Sequence, residues 1–420
     1  MKVLIVGAGA QGGPCASILS RDKAISKIVL GDIDLGLANK VKEKLRSDKL
    51  TAAKVDAGDM ADIEKAAKGV DVIINLTLTA FNDNIMKTAL KVGAHYVDTS
   101  FGEPSLMDIR ARDNILGQII DKKPLGLNRE FKEAGLTALH GSGGSPGIVN
   151  ILAKYVCDRL DRVDEIRIRL GRKNLIPSTE VISAWEPTWA PFRALWGYAV
   201  EPTIFEGGQY KKYPIYSGYE EYYFPEPVGM IPLVYHQHQE PITLPHFIGK
   251  GIRHCEFKYT VDTRAGTLIK QGFASSVPVD VKGVKVAPID VLMKLVRPPV
   301  DSFLGEDENT AKIPPKIIGR LAIEVKGGKG AEDIEYKLVL PLSIFETVEE
   351  KLEMYRRFGA SNIYVALPAV VGAKMCVEGS AAKGVICSEC LDPVKFLKMM
   401  ADMGAPVKFL EVCSKKVAVS

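Results

Sequence analysis

Between Lys2 and Ser100, short apolar runs alternate with segments of helical period, and the first connection reads Gly7-Ala-Gly9-Ala-Gln-Gly12. Lys2–Val6, Lys27–Leu30, Leu50–Val55, Asp71–Leu76 and His95–Val97 read as strands. Gln11–Arg21, Leu35–Arg46, Ala61–Lys68 and Asn84–Val92 read as the helices between them. Uninterrupted apolar strands joined by amphipathic helices need a parallel sheet covered on both faces, linked by right-handed crossovers. The expected fold class is therefore α/β, a doubly wound Rossmann sheet. Leu136–His140 adds a sixth strand. Gly141-Ser-Gly-Gly-Ser-Pro-Gly147 then leads into a helix over Ile148–Leu160, with Ser145 as its expected N-cap and Pro146 at the first helical position.

Beyond residue 163 the pattern changes. Glu165–Leu170 and parts of Glu256–Thr267 and Gly319–Leu340 alternate charged and apolar residues. That period predicts half-exposed strands and a second α+β domain on a largely antiparallel sheet. Prolines and aromatics gather between 177 and 247, as expected of long loops over a site or interface. Tyrosines 210, 213, 216, 219 and 222, interrupted by Pro214 and Gly218, read as an aromatic loop. From 366 the pattern is helical again. The expected division is 1–145 for a Rossmann domain, 146–365 for substrate binding and dimerisation, and 366–420 for C-terminal helices that return to the first domain. A length of 420 residues suits two or three domains.

Composition removes several classes. Lys+Arg number 55 against 51 Asp+Glu, a net charge of +4, which is too balanced for a dedicated nucleic-acid binder. At 46% hydrophobic residues the chain can build globular cores. No apolar run reaches membrane-spanning length. The apolar run Val3–Val6 stops at a glycine turn, unlike a signal peptide, so a cytoplasmic location is expected. Seven scattered cysteines fit reduced thiols. Cys387-x-x-Cys390, with Cys376 and Cys413, matches no common zinc spacing, and no metal is expected.

The turn at 7–12 carries chemistry. Gly7 allows a tight turn, Gly9 lets a pyrophosphate approach the backbone, and Gly12 lets helix and strand pack closely. Ala10 and Gln11 complete a helix N-terminus whose free N–H groups suit phosphate. Asp32 follows Gly12 by twenty residues, at the end of the second strand. A carboxylate there accepts from both adenosine ribose hydroxyls and repels a 2′-phosphate. Its neighbours Ile33 and Asp34 offer no arginine, so NAD is favoured over NADP. Ligands of such sheets sit beyond the carboxyl ends of the strands. Asn75-Leu76-Thr77 and Asp98-Thr99-Ser100 should therefore line the cofactor. Ser145, Pro146 and Gly147 lie in the second glycine-rich turn, which suits a carboxamide or substrate carboxylate.

Four of the six histidines lie between 236 and 254. His236 and His238 share a side if the chain there is extended, and imidazole has a suitable pKa for proton transfer. Packed or surface histidines are one alternative; a metal site is another, since His-x-His suits zinc, but no third ligand has a convincing spacing. Asp98 is the other candidate acid or base, expected to face the nicotinamide. Arg253 and Arg264 flank a strand and could hold a substrate carboxylate in bidentate fashion. Trp185 could wall the pocket.

With those residues in view, the chain resembles the saccharopine dehydrogenase-like family, which includes saccharopine reductase, lysine 6-dehydrogenase and carboxynorspermidine dehydrogenase. The resemblance rests on GAGAQG at 7–12, DVIINL at 71–76, HYVDTS at 95–100, SPGIVN at 145–150, and EGSAAKGV at 378–385 followed by Glu389. It implies a Rossmann domain interrupted by a mixed α/β substrate domain. It also implies hydride transfer at the C–N bond of an amino acid, a lysine- or diamine-derived amine or imine, in a homodimer. The exposed apolar face of an antiparallel sheet would provide the subunit contact. Two alternatives stand beside it: reductive condensation of an amine and a carbonyl through an imine, and a non-catalytic NAD-binding sensor. The chain departs from the family at Ser388, where proline is usual, and at Asp32, since saccharopine reductases favour NADP.

Overall fold

The computed structural model describes residues 1–101, 115–175, 184–187, 189–296 and 301–415. Its first six strands are β1 (Lys2–Val6), β2 (Lys27–Asp32), β3 (Leu50–Lys54), β4 (Val72–Asn75), β5 (His95–Asp98) and β6 (Thr137–His140). They form a parallel sheet in the order β6-β5-β4-β1-β2-β3. Successive side chains point to opposite faces, and both faces are dry. Ile5, Leu30, Ile74, Val97 and Leu139 belong to one apolar core, whereas Leu4, Val29, Ile73, Tyr96 and Ala138 belong to the other. This is the Rossmann arrangement expected from the apolar runs.

The second sheet is built from β7 (Arg162–Asn174), β8 (Thr203–Glu206), β9 (Gln209–Lys212), β10 (Glu220–Phe224), β11 (Gly229–Tyr235) and β12 (His254–Thr260). A separate hairpin, β13 (Val279–Val281) and β14 (Val284–Val286), precedes β15 (Ile317–Lys329) and β16 (Glu332–Pro341). The order is β10-β11-β12-β7-β15-β16, with β8 and β9 attached at β12. Every pairing is antiparallel except β7 with β12. Ile166, Ile168, Phe257, Leu321 and Ile323 turn inward, into the core that also covers the Rossmann sheet. The helix Ile148–Cys157 lies in that shared core. The second domain is thereby fused to the first by apolar packing.

Three local expectations change. The tyrosine-rich stretch supplies β9 and β10 as well as loops. The strand at 256 ends at Thr260, because Asp262 caps a helix over Thr263–Lys270 by accepting from the N–H groups of Arg264 and Ala265. The sheet face turned away from the Rossmann domain is mixed where an apolar face was expected: an apolar cluster around Phe224, Ala322 and Val339 adjoins Arg169, 4% exposed, which contacts Glu220, Glu256 and Glu324.

The C-terminal segment serves both domains. The helix Ala366–Val377, buried along nearly its whole length, packs on the helix Gly12–Arg21 and against β4 and β5. Strand β17 (Gly384–Cys387) then extends the Rossmann sheet beside β6, a seventh strand where only helices were expected. The final strand β18 (Leu410–Lys415) pairs with β16 in the second sheet. Among the described residues no helix is long and apolar enough to cross a membrane.

Candidate active site

The glycine turn is closed from two sides. Asp32 accepts from the Ala8 N–H at 2.7 Å and from the Asp34 N–H at 2.9 Å, so the end of β2 braces the end of β1. Ile33 is exposed beside it. A Cβ on Gly12 would stand 2.1 Å from the Gly7 carbonyl oxygen, so only glycine permits this approach. A Cβ on Gly9 would meet no protein atom within 4 Å. The turn thus opens onto free space at Gly9, and the buried Gln11 Oε1 has no partner there among the described residues. The open space at Gly9 fits a bound pyrophosphate.

Beside the turn, Asn75 shapes the end of β4. Its Oδ1 accepts from the Thr77 N–H at 3.0 Å and the Thr77 hydroxyl at 2.7 Å, and its amide donates to Asn82 and Tyr96. The intervening Leu76 carbonyl abuts Gly7. Asp98 points inward. It accepts from Tyr96 Oη at 2.9 Å, Asn82 Nδ2 at 3.1 Å and the Gly141 N–H at 2.8 Å, and His140 Nδ1 lies 2.6 Å away. These contacts tie the ends of β5 and β6 to the second glycine-rich turn and occupy the carboxylate with positioning. Thr99 abuts Gly143 of that turn, and the Ser100 carbonyl accepts from Asn82. The His140 partnership went unread in the sequence, although the β5–β6 register, Val97 opposite Leu139, places Asp98 beside His140.

The helix after the second turn begins later than its start signal suggested. It runs over Ile148–Cys157 and is capped by Gly147 at φ +132°, a conformation reserved for glycine. Ser145 is not the cap, and Pro146 precedes the helix. The Ser145 hydroxyl instead donates to Glu240 Oε1 at 2.5 Å.

Glu240 opens the helix Glu240–Ile248 and is completely buried. Its Oε2 meets His238 Nδ1. The His238 ring stacks on Phe257 at 4.0 Å, and the intervening Gln239 donates to the Phe101 carbonyl. The helix Glu240–Ile248 packs against the short turn after β17 that carries Glu389, 1% exposed. Asn150, in the first turn of its helix, accepts from the Gly147 N–H and donates to Glu389 Oε2 at 3.0 Å. Glu389 Oε1 and the Thr243 hydroxyl lie near each other without a well-formed hydrogen bond, and the Tyr364 hydroxyl is buried without a partner among the described residues. Leaving such groups bare costs about 1–3 kcal/mol each, so the cluster is suited to a polar ligand. Burial, only partly offset by the neighbouring Thr243 hydroxyl and Asn150 and reinforced by the Glu240 charge, raises the Glu389 pKa from 4.5 to about 7.

That shift makes stability depend on pH. In the unfolded chain Glu389 ionises near 4.5, whereas in the fold it keeps its proton to about 7. Stability from this group is fully present below pH 4.5 and is lost as pH rises to about 7, a change on the order of 3 kcal/mol. Denaturant melts at pH 4.5 and 8 are expected to show that the wild type loses this increment and Glu389→Gln does not. Equal pH slopes for the two proteins would contradict it.

His236 lies beyond His238, its ring 6.0 Å from that of His238. Other expected residues stand apart from the acid cluster. Trp185 donates to Asp262 at 3.1 Å and packs near Leu195 and Tyr198. Arg264 is exposed at the start of its helix and donates to the Ala184 carbonyl. Arg253 is exposed just before β12, its N–H bound to the Asp164 carbonyl. Glu240 and Asn150 were not singled out in the sequence, although each lies within a segment that was: the histidine-rich stretch and the SPGIVN motif.

A Rossmann sheet with this turn, a carboxylate at the end of β2 and a buried acid cluster beyond the strand ends defines a pyridine-nucleotide-linked oxidoreductase. Residues 3–139 match the saccharopine dehydrogenase NADP binding domain and residues 143–405 match the saccharopine dehydrogenase C-terminal domain. The chain belongs to the saccharopine dehydrogenase family. It is 26% identical to carboxynorspermidine synthase of Vibrio alginolyticus over 96% of this chain and 95% of that one. It is 24% identical to carboxyaminopropylagmatine dehydrogenase of Synechocystis over 96% of each. Saccharopine dehydrogenase (L-Glu forming) from Saccharomyces cerevisiae shares the fold at a TM-score of 0.66 and 14% identity, covering 98% of this chain and 99% of that one. Homospermidine synthase from Legionella pneumophila, solved with NAD, aligns at a TM-score of 0.62 and 12% identity, covering 98% and 91%.

Proposed function

We propose that this protein reduces an imine formed between a diamine-type amine and a carboxylate-bearing amino aldehyde, using NADH. The observation that carries this reading is the pair of buried carboxyls, Glu240 and Glu389. Among the described residues neither bonds a lysine or arginine, so both remain available to an amine. An acidic, water-excluding pocket favours a cationic nitrogen over an anionic one.

When bound, the dinucleotide supplies the hydride. Glu389, poised near neutrality, gives the imine nitrogen its proton, so that carbon receives hydride, nitrogen receives a proton and a secondary amine results. Run backwards, the same carboxylate takes the amine's proton. Glu240, anchored by Ser145 and His238, holds the second nitrogen of the diamine. Asp98 and His140 keep the glycine-rich turn beneath them in place.

The relatives' names favour condensation over simple oxidation of lysine. Carboxynorspermidine and carboxyaminopropylagmatine each describe a polyamine nitrogen carrying a carboxyl-bearing aminopropyl chain. The aldehyde corresponding to that chain is aspartate β-semialdehyde. The test is NADH consumption with this aldehyde and 1,3-diaminopropane, putrescine or agmatine. Consumption is expected only when amine and aldehyde are both present. NADH formation from NAD⁺ and lysine alone would instead favour the oxidative reading, and dinucleotide binding without turnover a sensor.

The preference for NAD rests on Asp32 at the end of β2, with no arginine at 33–35. Fluorescence titration is expected to give NADH an affinity at least about tenfold above NADPH. Asp32→Ala should weaken NADH by about ten- to a hundredfold, the loss of charge-assisted hydrogen bonds. Equal affinity of the wild type for both nucleotides would contradict the assignment.

A further inference from the structure

One proton-carrying group in the acid cluster has no task in the reduction itself. His238 lies between β11 and the helix Glu240–Ile248. Its Nδ1 meets Glu240 Oε2, and its ring lies nearly parallel to that of Phe257, 6° from coplanar with centroids 4.0 Å apart. Ser145 donates to the other oxygen of the same carboxylate. With Glu240 accepting at both oxygens, the imidazole proton sits on Nδ1 and a lone pair is left on Nε2. The ring is therefore fixed at one nitrogen and along one face, while the other nitrogen is unused.

That nitrogen is also reachable. Nε2 makes no hydrogen bond among the described residues, and it is not among the sealed polar atoms, the side chain being 13% exposed. His236 differs. Both of its ring nitrogens are buried, and Tyr198 and Tyr259 pack on it at 4.6 and 5.0 Å. Of the four ring nitrogens of these two histidines, Nε2 of His238 alone is both unbonded and open. The dyad borders the acid cluster. Thr243, one helical turn after Glu240, lies beside Glu389, and burial, then the Glu240 charge, push the Tyr364 pKa up. An imidazole oriented by a carboxylate at one nitrogen is a base at the other, and the carboxylate stabilises the imidazolium once a proton is taken.

We infer that His238, held by Glu240, is the base of the condensation that makes the imine, a step separate from the reduction served by Glu389. The inference rests on the imine-reducing reading above and assigns the bond-forming half of that reaction. Two protons must pass from nitrogen to oxygen before hydride can be used. Nε2 takes the first from the attacking amine as the nitrogen lone pair forms the C–N bond and the carbonyl pair moves onto oxygen. It delivers that proton to the oxygen, giving a carbinolamine. Nε2 then takes the remaining N–H proton, the freed pair forms C=N, the C–O bond breaks, and the hydroxide leaves with the proton as water. In the oxidative direction the same nitrogen deprotonates the water that attacks the imine.

The test uses the full-length protein and its His238→Asn variant, in which an amide nitrogen takes the place of Nδ1 beside Glu240 and Nε2 is removed. His238→Gln serves as a second variant. Melting temperature and NADH affinity should match the wild type. With 1,3-diaminopropane and aspartate β-semialdehyde, kcat/KM should fall by about a hundredfold or more, the usual contribution of a positioned base. The decisive readout is rapid mixing in the oxidative direction, with NAD⁺ and the secondary amine purified from the wild-type reaction. The variants should release one equivalent of NADH per site at the wild-type rate and then turn over slowly, because hydride transfer is intact and imine hydrolysis is not. Equal slowing of the first turnover and the steady state would place His238 in binding or hydride transfer and overturn the inference. Unchanged turnover would overturn it as well and leave the imine-reducing reading intact. No turnover of the amine–aldehyde pair by the wild type would overturn that reading and this inference with it.

Discussion

Glu389→Gln is expected to lower kcat/KM for the amine–aldehyde pair by about a hundredfold to ten-thousandfold, the usual contribution of a positioned general acid. The amide keeps the shape and still meets Asn150, but it has no proton to give at neutral pH. In the reductive direction the wild-type rate should fall as pH rises through about 7, where Glu389 loses its proton. In the oxidative direction the sign reverses and the rate should climb through the same interval. Both limbs should vanish in the variant. NADH affinity, read by fluorescence, should be unchanged, because Asn150 and Glu389 lie beyond the second glycine-rich turn and not at Gly7–Gly12. Retention of most activity together with the pH limb would remove Glu389 from proton transfer.

The second large effect concerns the cofactor turn, where two glycines of one motif should respond differently. At Gly12 an added methyl meets the Gly7 carbonyl, so Gly12→Ala must open the turn itself. Overpacking of this kind costs about 1–3 kcal/mol, and both melting temperature and dinucleotide affinity should fall. At Gly9 the methyl meets no protein atom within 4 Å. Gly9→Ala should therefore melt like the wild type but bind NADH at least about tenfold more weakly, because the methyl occupies the space where the pyrophosphate meets the backbone. If Gly9→Ala binds NADH normally, the phosphates do not lie over this turn.

Some of this molecule could be read along the chain because the controlling contacts are local. The runs of β1, β2, β4, β5 and β6 are buried on both faces, and such strands are recognisable from composition alone. The turn at Gly7–Gly12 and its Asp32 brace are a strand-end arrangement with fixed spacing. Strand β17 was hidden because Gly384–Cys387 is four residues long and follows a helix in a helix-rich tail. Its place beside β6 is set by a contact across more than half the chain. The Ser145 start signal misled for a related reason. Its hydroxyl is claimed by Glu240, 95 residues away, and Gly147 takes over the cap. Asn150 and Glu389 meet across 239 residues. His238 and Glu240 are two residues apart, yet their partnership depends on the turn between β11 and the helix Glu240–Ile248. The charged face around Arg169 went unread because alternation shows which residues face outward and not how tightly they pair.

Isotope transfer tests the central claim most directly. NADH carrying deuterium at C4 of the nicotinamide would be incubated with the protein, aspartate β-semialdehyde and 1,3-diaminopropane, and the product analysed by mass spectrometry. The account predicts a secondary amine heavier by one deuterium, located on the carbon that was the aldehyde. A condensed product without the label, or deuterium found only in the alcohol of the aldehyde, would contradict hydride transfer at the C–N bond.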